Sequence, residues 1–483
     1  MALWIAEYQQ NARFRAAFGA EIPALPLKNS GVIVRDNALR VNWAQFCKIA
    51  RSGHVYIVGN PPYLGAAWMS KEQKEDMKLV FEGKIKNFAS LDYVCGWFMK
   101  AALFCQEVDS SFAFVATNSI AQGSHASTLW PELFEYGVEI GFAHTSFKWS
   151  NNAASNAAVI CIVVGMRRIS DAPKTLIDEK GKSTRVENIN GYLIDAPHAD
   201  IKARSKPMSV LPQMFKGSQP TDGGNLILSP DEKERFVAEY SKSESFIRRY
   251  VGSQELIKGT LRYCIWIPDG EEKDAYSIPE FRDRFEKVRE MRSASSKKQT
   301  REFASIPHKF TEIRHIESPT VIGVPRVSSE NRDYLPADFF SKGEIISDSA
   351  FAIYNADLWH FSILVSRFSM LWIKAVCGKL KNDIRFSNTL GWNTLPIPRL
   401  TSYDKERLDQ AGRDILLVRE EYFPKTIAEL YDRAKMPEKL LKAHQRNDQL
   451  LEEIYADTTF ISDDQRLAYL FDIYVKLSKR GDE

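Results

Sequence analysis

The stretch HVYIVGNPPY, residues 54–63, decides the fold. Its first half is a short apolar run ending in glycine, which is typical of a buried β-strand, and its second half is a stiff turn. Helical patterns alternate with further runs of this kind at residues 111–117, 138–144 and 157–165. Short apolar strands that alternate with helices predict an α/β domain whose mostly parallel sheet is covered on both faces.

The pattern of the remaining chain predicts three parts. We expect the α/β domain, with its sheet incomplete, to occupy residues 1–200. A mixed α+β domain follows over residues 201–398, where strand-like pieces such as 261–267 are separated by long polar connections. Leucine and isoleucine then recur at helical spacing, so residues 399–483 are predicted to form a helical C-terminal region.

The composition bounds the class of protein. A net charge of +3 means that any surface for a polyanion such as DNA must be local. The six cysteines are scattered and include no Cys-x-x-Cys pair, which argues against a zinc site and against a disulfide framework. The N-terminus does not read as a signal peptide, and no apolar run approaches the roughly 18–20 residues that span a bilayer. We therefore expect no metal, no membrane and a cytoplasmic location.

The turn that follows the strand has the chemistry of an amino-group site. Ligands of open α/β sheets bind outside the carboxyl ends of the strands, which is where Asn60 stands. The lone pair of an exocyclic amino group is delocalised into its ring, so the nitrogen is a poor nucleophile. Two acceptors aimed at its hydrogens, the Asn60 side-chain oxygen and the Pro61 carbonyl, draw it toward tetrahedral geometry. Tyr63 offers a ring for stacking. The alternative is an ordinary strand-terminating turn.

Residues 57–65 resemble the catalytic motif of the gamma-class adenine DNA methyltransferases. More of the chain resembles the MmeI-like branch of that class, which comprises fused type II restriction–modification enzymes and stand-alone methylase relatives. The similar segments follow the family's order and span nearly the whole chain: residues 57–65, 92–94, 113–123, 146–159, 325–332, 378–387 and 393–398.

This resemblance implies a class I, Rossmann-like methyltransferase that acts on double-stranded DNA within a restriction–modification system. Its methyl donor would be S-adenosylmethionine and its acceptor the amino group of a flipped adenine. Asn60, Pro61, Pro62 and Tyr63 would form the catalytic loop, and a second aromatic residue would stack on the other face of the base. Phe147 and Trp149 are both candidates for that ring, and core packing is the alternative for each.

One departure from the family concerns the cofactor. Family members open their methyltransferase domain with a glycine loop of Gly-x-Gly type, and this chain contains no Gly-x-Gly. Its first residues resemble the helix that follows the second strand of the family. We therefore expect a broken sheet of about five strands, with a strand at residues 31–35 lacking its usual neighbours.

Without the glycine loop, few of the family's cofactor-binding residues are left in this chain. Asp36 and Asn37 are the candidate cofactor-binding residues, with a capped strand-end turn as the alternative. We predict weak or absent binding of S-adenosylmethionine. The chain would then be an internal-start or frameshifted remnant, or one piece of a split enzyme. In the split case a separate polypeptide would supply the missing N-terminal motifs or a nuclease.

The resemblance also assigns residues to DNA. Glu330, Asn331 and Arg332 fall where family members place base-reading side chains, and these residue types suit cytosine, adenine and guanine edges. The alternative is a solvated loop with an ion pair. A second set has the spacing of a basic strip that holds phosphates. That set is Lys379, Lys381 and Arg385.

Two other functions remain open. Protein glutamine and ribosomal RNA methyltransferases also use an Asn-Pro-Pro-Tyr loop, but their chains generally end soon after the catalytic domain. Here a large region follows, as base-specific DNA recognition requires. Cytosine amino methyltransferases usually carry serine in place of Asn60, which favours adenine. The other alternative is a DNA-binding remnant without catalysis, which a cofactor titration would distinguish from an enzyme.

Overall fold

The computed structural model describes residues 9, 11–17, 19, 34–45, 53–149, 159–380 and 383–480. Residues 1–53 and 54–483 are two separate units. In the first unit, residues 11–17 are helical and residues 38–40 form a turn. Of the strand expected at residues 31–35, the first three residues lie outside the described residues. Val34 and Arg35 belong to no strand, so the expectation is wrong for these two.

The second unit begins with a six-stranded sheet and its helices. The elements are β1 Val55–Gly59, α1 Lys71–Phe81, α2 Cys95–Glu107, β2 Ser110–Thr117, α3 Gly123–Glu135, β3 Val138–Trp149, β4 Val159–Arg168, β5 Lys174–Ile177 and β6 Ser183–Val186. The strand order of the sheet is β1-β2-β4-β3-β5-β6.

The sheet is mixed, so the prediction of a mostly parallel sheet is wrong. β1 is parallel to β2, and β3 is parallel to β5. β4, however, is antiparallel to both of its neighbours, β2 and β3. The reason lies in the connection: β3 ends at Trp149 and β4 begins at Val159. That interval is shorter than the dozen or so residues that a parallel crossover needs.

Aromatic packing holds the helices on this sheet. Residues of β2 alternate between buried and half-buried, which puts Phe112 and Phe114 on the covered face. The Phe98 ring of α2 lies edge-on to Phe114 at 5.3 Å and to Trp130 of α3 at 5.6 Å. Trp130 Nε1 also donates to the Ile120 carbonyl at 2.8 Å. The core therefore fixes the loop that follows the carboxyl end of β2.

Strand β1 lies at one edge of the sheet. Within the described residues it pairs with β2 and with no other strand. Its apolar side chains Tyr56 and Val58 are 75% and 62% exposed. An exposed apolar edge strand is uncommon, since unpaired backbone groups and uncovered side chains favour further association.

The described part of the mixed domain contains three small sheets. Its strands are β7 Met214–Lys216, β8 Ile227–Leu228, β9 Ile247–Val251, β10 Tyr263–Ile265, β11 Val321–Pro325, β12 Val327–Ser328, β13 Asp338–Phe340, β14 Ile345–Ile346, β15 Ala350–Tyr354, β16 Lys379–Leu380 and β17 Asp383–Arg385. The strand orders of the sheets are β14-β9-β10-β8, β13-β11-β15-β7 and β12-β17-β16. Its helices are α4 Pro230–Glu239, α5 Ser253–Lys258, α6 Glu272–Tyr276, α7 Pro279–Ser293, α8 Lys298–Glu302, α9 Leu358–Leu364 and α10 Arg367–Val376.

Four helices follow in the described part of residues 399–483. They are α11 Ser402–Glu420, α12 Ile427–Leu430, α13 Glu438–Tyr455 and α14 Asp463–Arg480. The predicted fold class is confirmed: a Rossmann-like α/β part, a mixed α+β part and a helical C-terminal region. Among the described helices, none combines the length and the apolar character needed to cross a membrane.

Candidate active site and nucleic-acid cleft

The loop Asn60–Tyr63 leaves the carboxyl end of β1, as the sequence predicts. Pro61 is buried, whereas Asn60 and Pro62 are exposed and Tyr63 is half-buried. A buried proline anchors the loop and, because its ring fixes φ, limits the conformations of the turn. The Asn60 amide is thus presented to solvent from a rigid support.

Asp92 ties this loop to the neighbouring strand. Its buried carboxylate accepts a hydrogen bond from the Leu64 backbone N–H at 2.9 Å and one from the Thr117 hydroxyl at 3.5 Å. The Tyr93 N–H donates in turn to the Leu64 carbonyl at 3.0 Å. Asp92 and Tyr93 lie just before Val94, the N-cap residue of α2, and are therefore outside the helix. Lying outside the helix frees these backbone groups to hold the loop.

Tyr63 and Phe147 converge on one residue of β4. The Tyr63 hydroxyl lies 3.9 Å from the Cys161 sulfur, and burial raises the pKa of Tyr63. Phe147 is the β3 residue paired directly with Cys161. Directly opposed residues of antiparallel strands project to the same face of a sheet. Phe147 therefore shares a face with the sulfur that Tyr63 contacts. The backbone of Trp149 pairs with Val159, and its side chain lies outside the described residues.

A cleft of about 1310 Å³ lies between the α/β domain and the mixed domain. The α/β wall is formed by residues 117–119 at the carboxyl end of β2, by residues 122–125 at the start of α3, and by Ile160 of β4. The opposite wall includes Gly378, Lys379, Asp383 and most of residues 385–390. The two walls touch at a pair of glycines. A Cβ added at Gly123, whose φ is +54°, would lie 3.3 Å from the Gly378 nitrogen, so this contact leaves little room for a side chain.

The mixed-domain wall of the cleft is cationic. Its charged residues are Lys216, Arg326, Lys379 and Arg385, with Asp383 as the one carboxylate among the lining residues. Lys379 and Arg385 were predicted from the sequence, and both are exposed. Lys216 and Arg326 were missed, because nothing in their local sequence marks them and only folding brings them together. Arg326 also donates to the Asp348 carbonyl at 2.9 Å, which fixes its guanidinium. Lys381 lies outside the described residues.

The predicted base-reading segment is held in a turn. Glu330 and Asn331 are exposed, and the Arg332 N–H donates to the Ser329 carbonyl at 3.2 Å. The Arg332 guanidinium is half-buried: its Nη1 donates to the Ser328 hydroxyl at 3.4 Å, and burial lowers its pKa. Its Nε is buried without a hydrogen-bond partner in the described part of the chain. Glu330 is linked to the cleft, because its N–H donates to Asp383 at 3.4 Å.

The candidate cofactor residues belong to the first unit. The Asn37 N–H donates to the Asp36 carboxylate at 2.7 Å, and the Asn37 side-chain oxygen accepts from the Leu39 N–H at 2.9 Å. These are the contacts of a capped turn. As for metals, the described residues contain no group of three or more His, Cys, Asp or Glu side chains placed to hold an ion.

Three family models match this chain in sequence order. Residues 1–178 match the DNA-methyltransferase domain of MmeI, residues 195–399 its target recognition domain, and residues 401–480 its C-terminal domain. Together they cover almost the entire chain.

Two longer proteins are similar to it throughout. DNA methyltransferase A of Bacillus subtilis (strain 168) is 38% identical over 481 residues, which are 99% of this chain and 54% of that protein. The type IIL restriction–modification enzyme MmeI, solved in complex with DNA, is 34% identical with a TM-score of 0.82. That match covers 99% of this chain and 64% of the MmeI chain. The chain thus spans between half and two thirds of the length of these relatives.

Proposed function

The chain belongs to the MmeI family of restriction–modification proteins, and from this we propose that it is the DNA-binding and base-positioning part of an adenine-specific DNA methyltransferase. The observation that carries the proposal is the link through Asp92. This residue joins the Asn60–Tyr63 loop to Thr117, which lines the cationic cleft. One bound duplex can therefore meet both features.

Each loop residue has a proposed role toward a flipped adenine. The Asn60 side-chain oxygen and the Pro61 carbonyl accept hydrogen bonds from the amino group, which makes its lone pair available. Tyr63 stacks on one face of the base, and Phe147 is our candidate for the other face. Lys379 and Arg385 contact phosphates and set the register of the duplex, whereas Glu330–Arg332 read base edges.

Methyltransferases of this family use S-adenosylmethionine in general, but the described residues do not fit that cofactor well. No Gly-x-Gly loop is present to let the backbone approach the methionine part. The side chains of Asp36 and Asn37 already bind backbone N–H groups of their own turn. We therefore propose that these 483 residues bind the cofactor weakly, and we derive no chemical step through it.

We further propose that a polypeptide segment outside these residues completes the donor site. The supporting observation is the exposed edge of β1, where Tyr56 and Val58 present an apolar surface beside the catalytic loop. A partner strand at this edge would pair the backbone of β1, and a helix connected to that strand would cover the face on which Tyr56 and Val58 lie. In the proposed system a nuclease would also be supplied from outside these residues.

The second candidate is a DNA-binding protein without catalysis, which the poor cofactor fit favours. The two candidates differ in whether the chain, once completed with a donor-binding segment, methylates DNA. Calorimetric titration with S-adenosylmethionine tests the poor cofactor fit that both candidates share. The missing polar contacts are each worth roughly 1.5–3 kcal/mol, so we expect little or no heat from this chain alone. Micromolar affinity would show that the chain holds a complete donor site that we have not recognised.

DNA binding itself tests the proposal. We expect the purified chain to bind duplex DNA in fluorescence anisotropy, with an affinity that falls steeply as salt rises. Arg385→Ala should lower the salt slope by about one unit. Arg289→Ala is a matched control, because Arg289 is half-exposed, forms an ion pair with Glu286 on α7 and does not line the cleft. Equal effects of the two variants would contradict the cleft assignment.

A further inference from the structure

Asn118 occupies a particular position on the α/β wall of the cleft. It follows the carboxyl end of β2 and begins the short turn Asn118–Ala121. Strand β1 is the parallel neighbour of β2 and ends at the same edge of the sheet, where Asn60 begins the catalytic loop. The turn is held from both sides: the Thr117 and Ser119 hydroxyls lie 2.9 Å apart, and Trp130 donates to the Ile120 carbonyl.

The Asn118 amide has a hydrogen-bonding capacity that the fold leaves unused. The residue is 7% exposed, and its amide nitrogen is buried without a partner in the described part of the chain. A buried donor without a partner destabilises a fold, because it has lost its hydrogen bonds to water. Groups of this kind in native proteins call for an explanation, and a ligand that arrives later is one.

The surroundings indicate the kind of ligand. Asn118 lines the cleft, and the wall across from it carries Lys216, Arg326, Lys379 and Arg385. A cationic wall attracts a polyanion, and the oxygens and ring nitrogens of DNA are acceptors that suit an amide donor. We propose that the Asn118 amide donates a hydrogen bond to an acceptor of the DNA bound in this cleft. This inference rests on the proposed function, which supplies the DNA.

The test compares DNA affinity with thermal stability in the full chain. Asn118→Ala removes an unused buried donor, so its melting temperature should be unchanged or higher than that of the wild type. Its affinity for duplex DNA should fall about three- to ten-fold. Because the amide is neutral, the salt slope should not change, unlike that of Arg385→Ala. Asn118→Asp should bind more weakly than Asn118→Ala, since it places a carboxylate against an acceptor.

Asn447 is the matched control. It is fully buried on α13, and its amide nitrogen donates to the Ser362 carbonyl at 2.9 Å. Asn447→Ala should therefore lower the melting temperature and leave DNA affinity unchanged, which is the opposite pattern. Two duplex samples locate the acceptor: one of random sequence and one selected from a random library by binding to the chain. Equal loss on both indicates a backbone oxygen, and loss confined to the selected pool indicates a base.

Three results would overturn the inference. Asn118→Ala could bind DNA as well as the wild type does, or it could lose affinity and melting temperature together, as a structural residue would. Asn118→Asp could bind as tightly as the wild type, which would exclude a donor role. Failure of the wild-type chain to bind any duplex is a different outcome, since it would overturn the proposed function itself.

Discussion

The guanidinium of Arg433 forms a bidentate ion pair with the carboxylate of Asp333, with Nε at 3.0 Å and Nη2 at 2.8 Å from the carboxylate oxygens. The Arg433 backbone N–H also donates to the Asn331 carbonyl at 3.1 Å. Arg367 of α10 contacts the same carboxylate at 3.2 Å. The helical C-terminal region thus holds the segment that carries the proposed base-reading residues.

Loss of the ion pair between Arg433 and Asp333 should reduce discrimination between base sequences without removing a DNA contact. Arg433→Ala is expected to reduce discrimination between recognition and random duplexes, because residues Glu330–Arg332 lose a support. Affinity for random DNA should change little. Competition binding with the two duplexes measures both quantities. Arg407→Ala is the control, because it breaks an exposed ion pair between Arg407 of α11 and Glu453 of α13. If Arg433→Ala weakens binding to both duplexes alike, the segment does not read bases.

Arg332 and the cationic strip should differ in the way that they affect binding. Arg332→Ala is expected to relax or shift the base choice at one position of the site, at a cost of about 1–3 kcal/mol. Lys381→Ala should instead weaken binding to all sequences and lower the salt slope by about one unit. Selection from a random duplex library reads out the first effect. Uniform loss of affinity in Arg332→Ala would make Arg332 a phosphate contact.

Asp92 should matter for turnover more than for DNA affinity. Asp92→Asn weakens the hydrogen bonds to Leu64 and Thr117, and contacts to a charged group are worth about 1.5–3 kcal/mol. In an enzyme completed with the donor-binding segment, we expect kcat to fall roughly ten- to a hundred-fold, with the Kd for DNA nearly unchanged. Asp109→Asn is the control, because Asp109 is exposed, forms an ion pair with His54 at 3.1 Å and lies at the opposite end of β2 from Thr117. A parallel rise in Kd would show that Asp92 supports the whole cleft.

Much of the α/β part could be predicted because its signals are local. The apolar runs at residues 111–117 and 138–144 are strands within a few residues of their predicted bounds. The pairing direction of β4 was not predictable from such runs, since it depends on the length of the connection. The burial of Arg292 could not be predicted from local sequence either. The residue belongs to a highly charged helix, yet its side chain is fully buried and donates to carbonyls such as those of Pro220 and Lys309. Those acceptors come from distant segments.

The residues that line the cleft also differ in how far the sequence could predict them. The Asn60–Tyr63 loop is one contiguous motif, so its position at the end of a strand could be predicted from the sequence alone. Lys216 and Arg326 are more than a hundred positions apart and share no motif, yet they line one wall. The unused donor of Asn118 could not be foreseen either, because it depends on which groups the fold brings near.

Asp448 should make stability depend on pH. It accepts hydrogen bonds from the Arg367 N–H and the Tyr334 hydroxyl, at 2.7 and 2.8 Å. Burial raises its pKa to about 7, although Arg367 and Arg466 act in the opposite direction. A raised carboxyl pKa means that stability present at low pH is lost as the pH rises from about 4 toward 7. Asp448→Asn imitates the protonated acid. It should raise the melting temperature at pH 8, with a smaller gain at pH 5.

Asp463 should give the opposite dependence of stability on pH. Burial would raise its pKa, but the hydrogen bond and charge of Arg367, with the charge of Arg466, outweigh burial and lower it. Its carboxylate therefore stabilises the fold at neutral pH, and this contribution is lost as the pH falls. Asp463→Asn should lower the melting temperature at pH 8. Equal shifts for Asp448→Asn and Asp463→Asn would contradict the assigned environments.

The identity of the methylated base tests the account most directly. The completed enzyme is incubated with duplex DNA and isotopically labelled S-adenosylmethionine, and the DNA is digested to nucleosides for mass spectrometry. We predict label in N6-methyladenine. We also predict that Asn60→Ala abolishes the label while duplex binding stays intact, because Asn60 acts on the amino group. Label in N4-methylcytosine, or undiminished labelling by Asn60→Ala, would contradict the central claim.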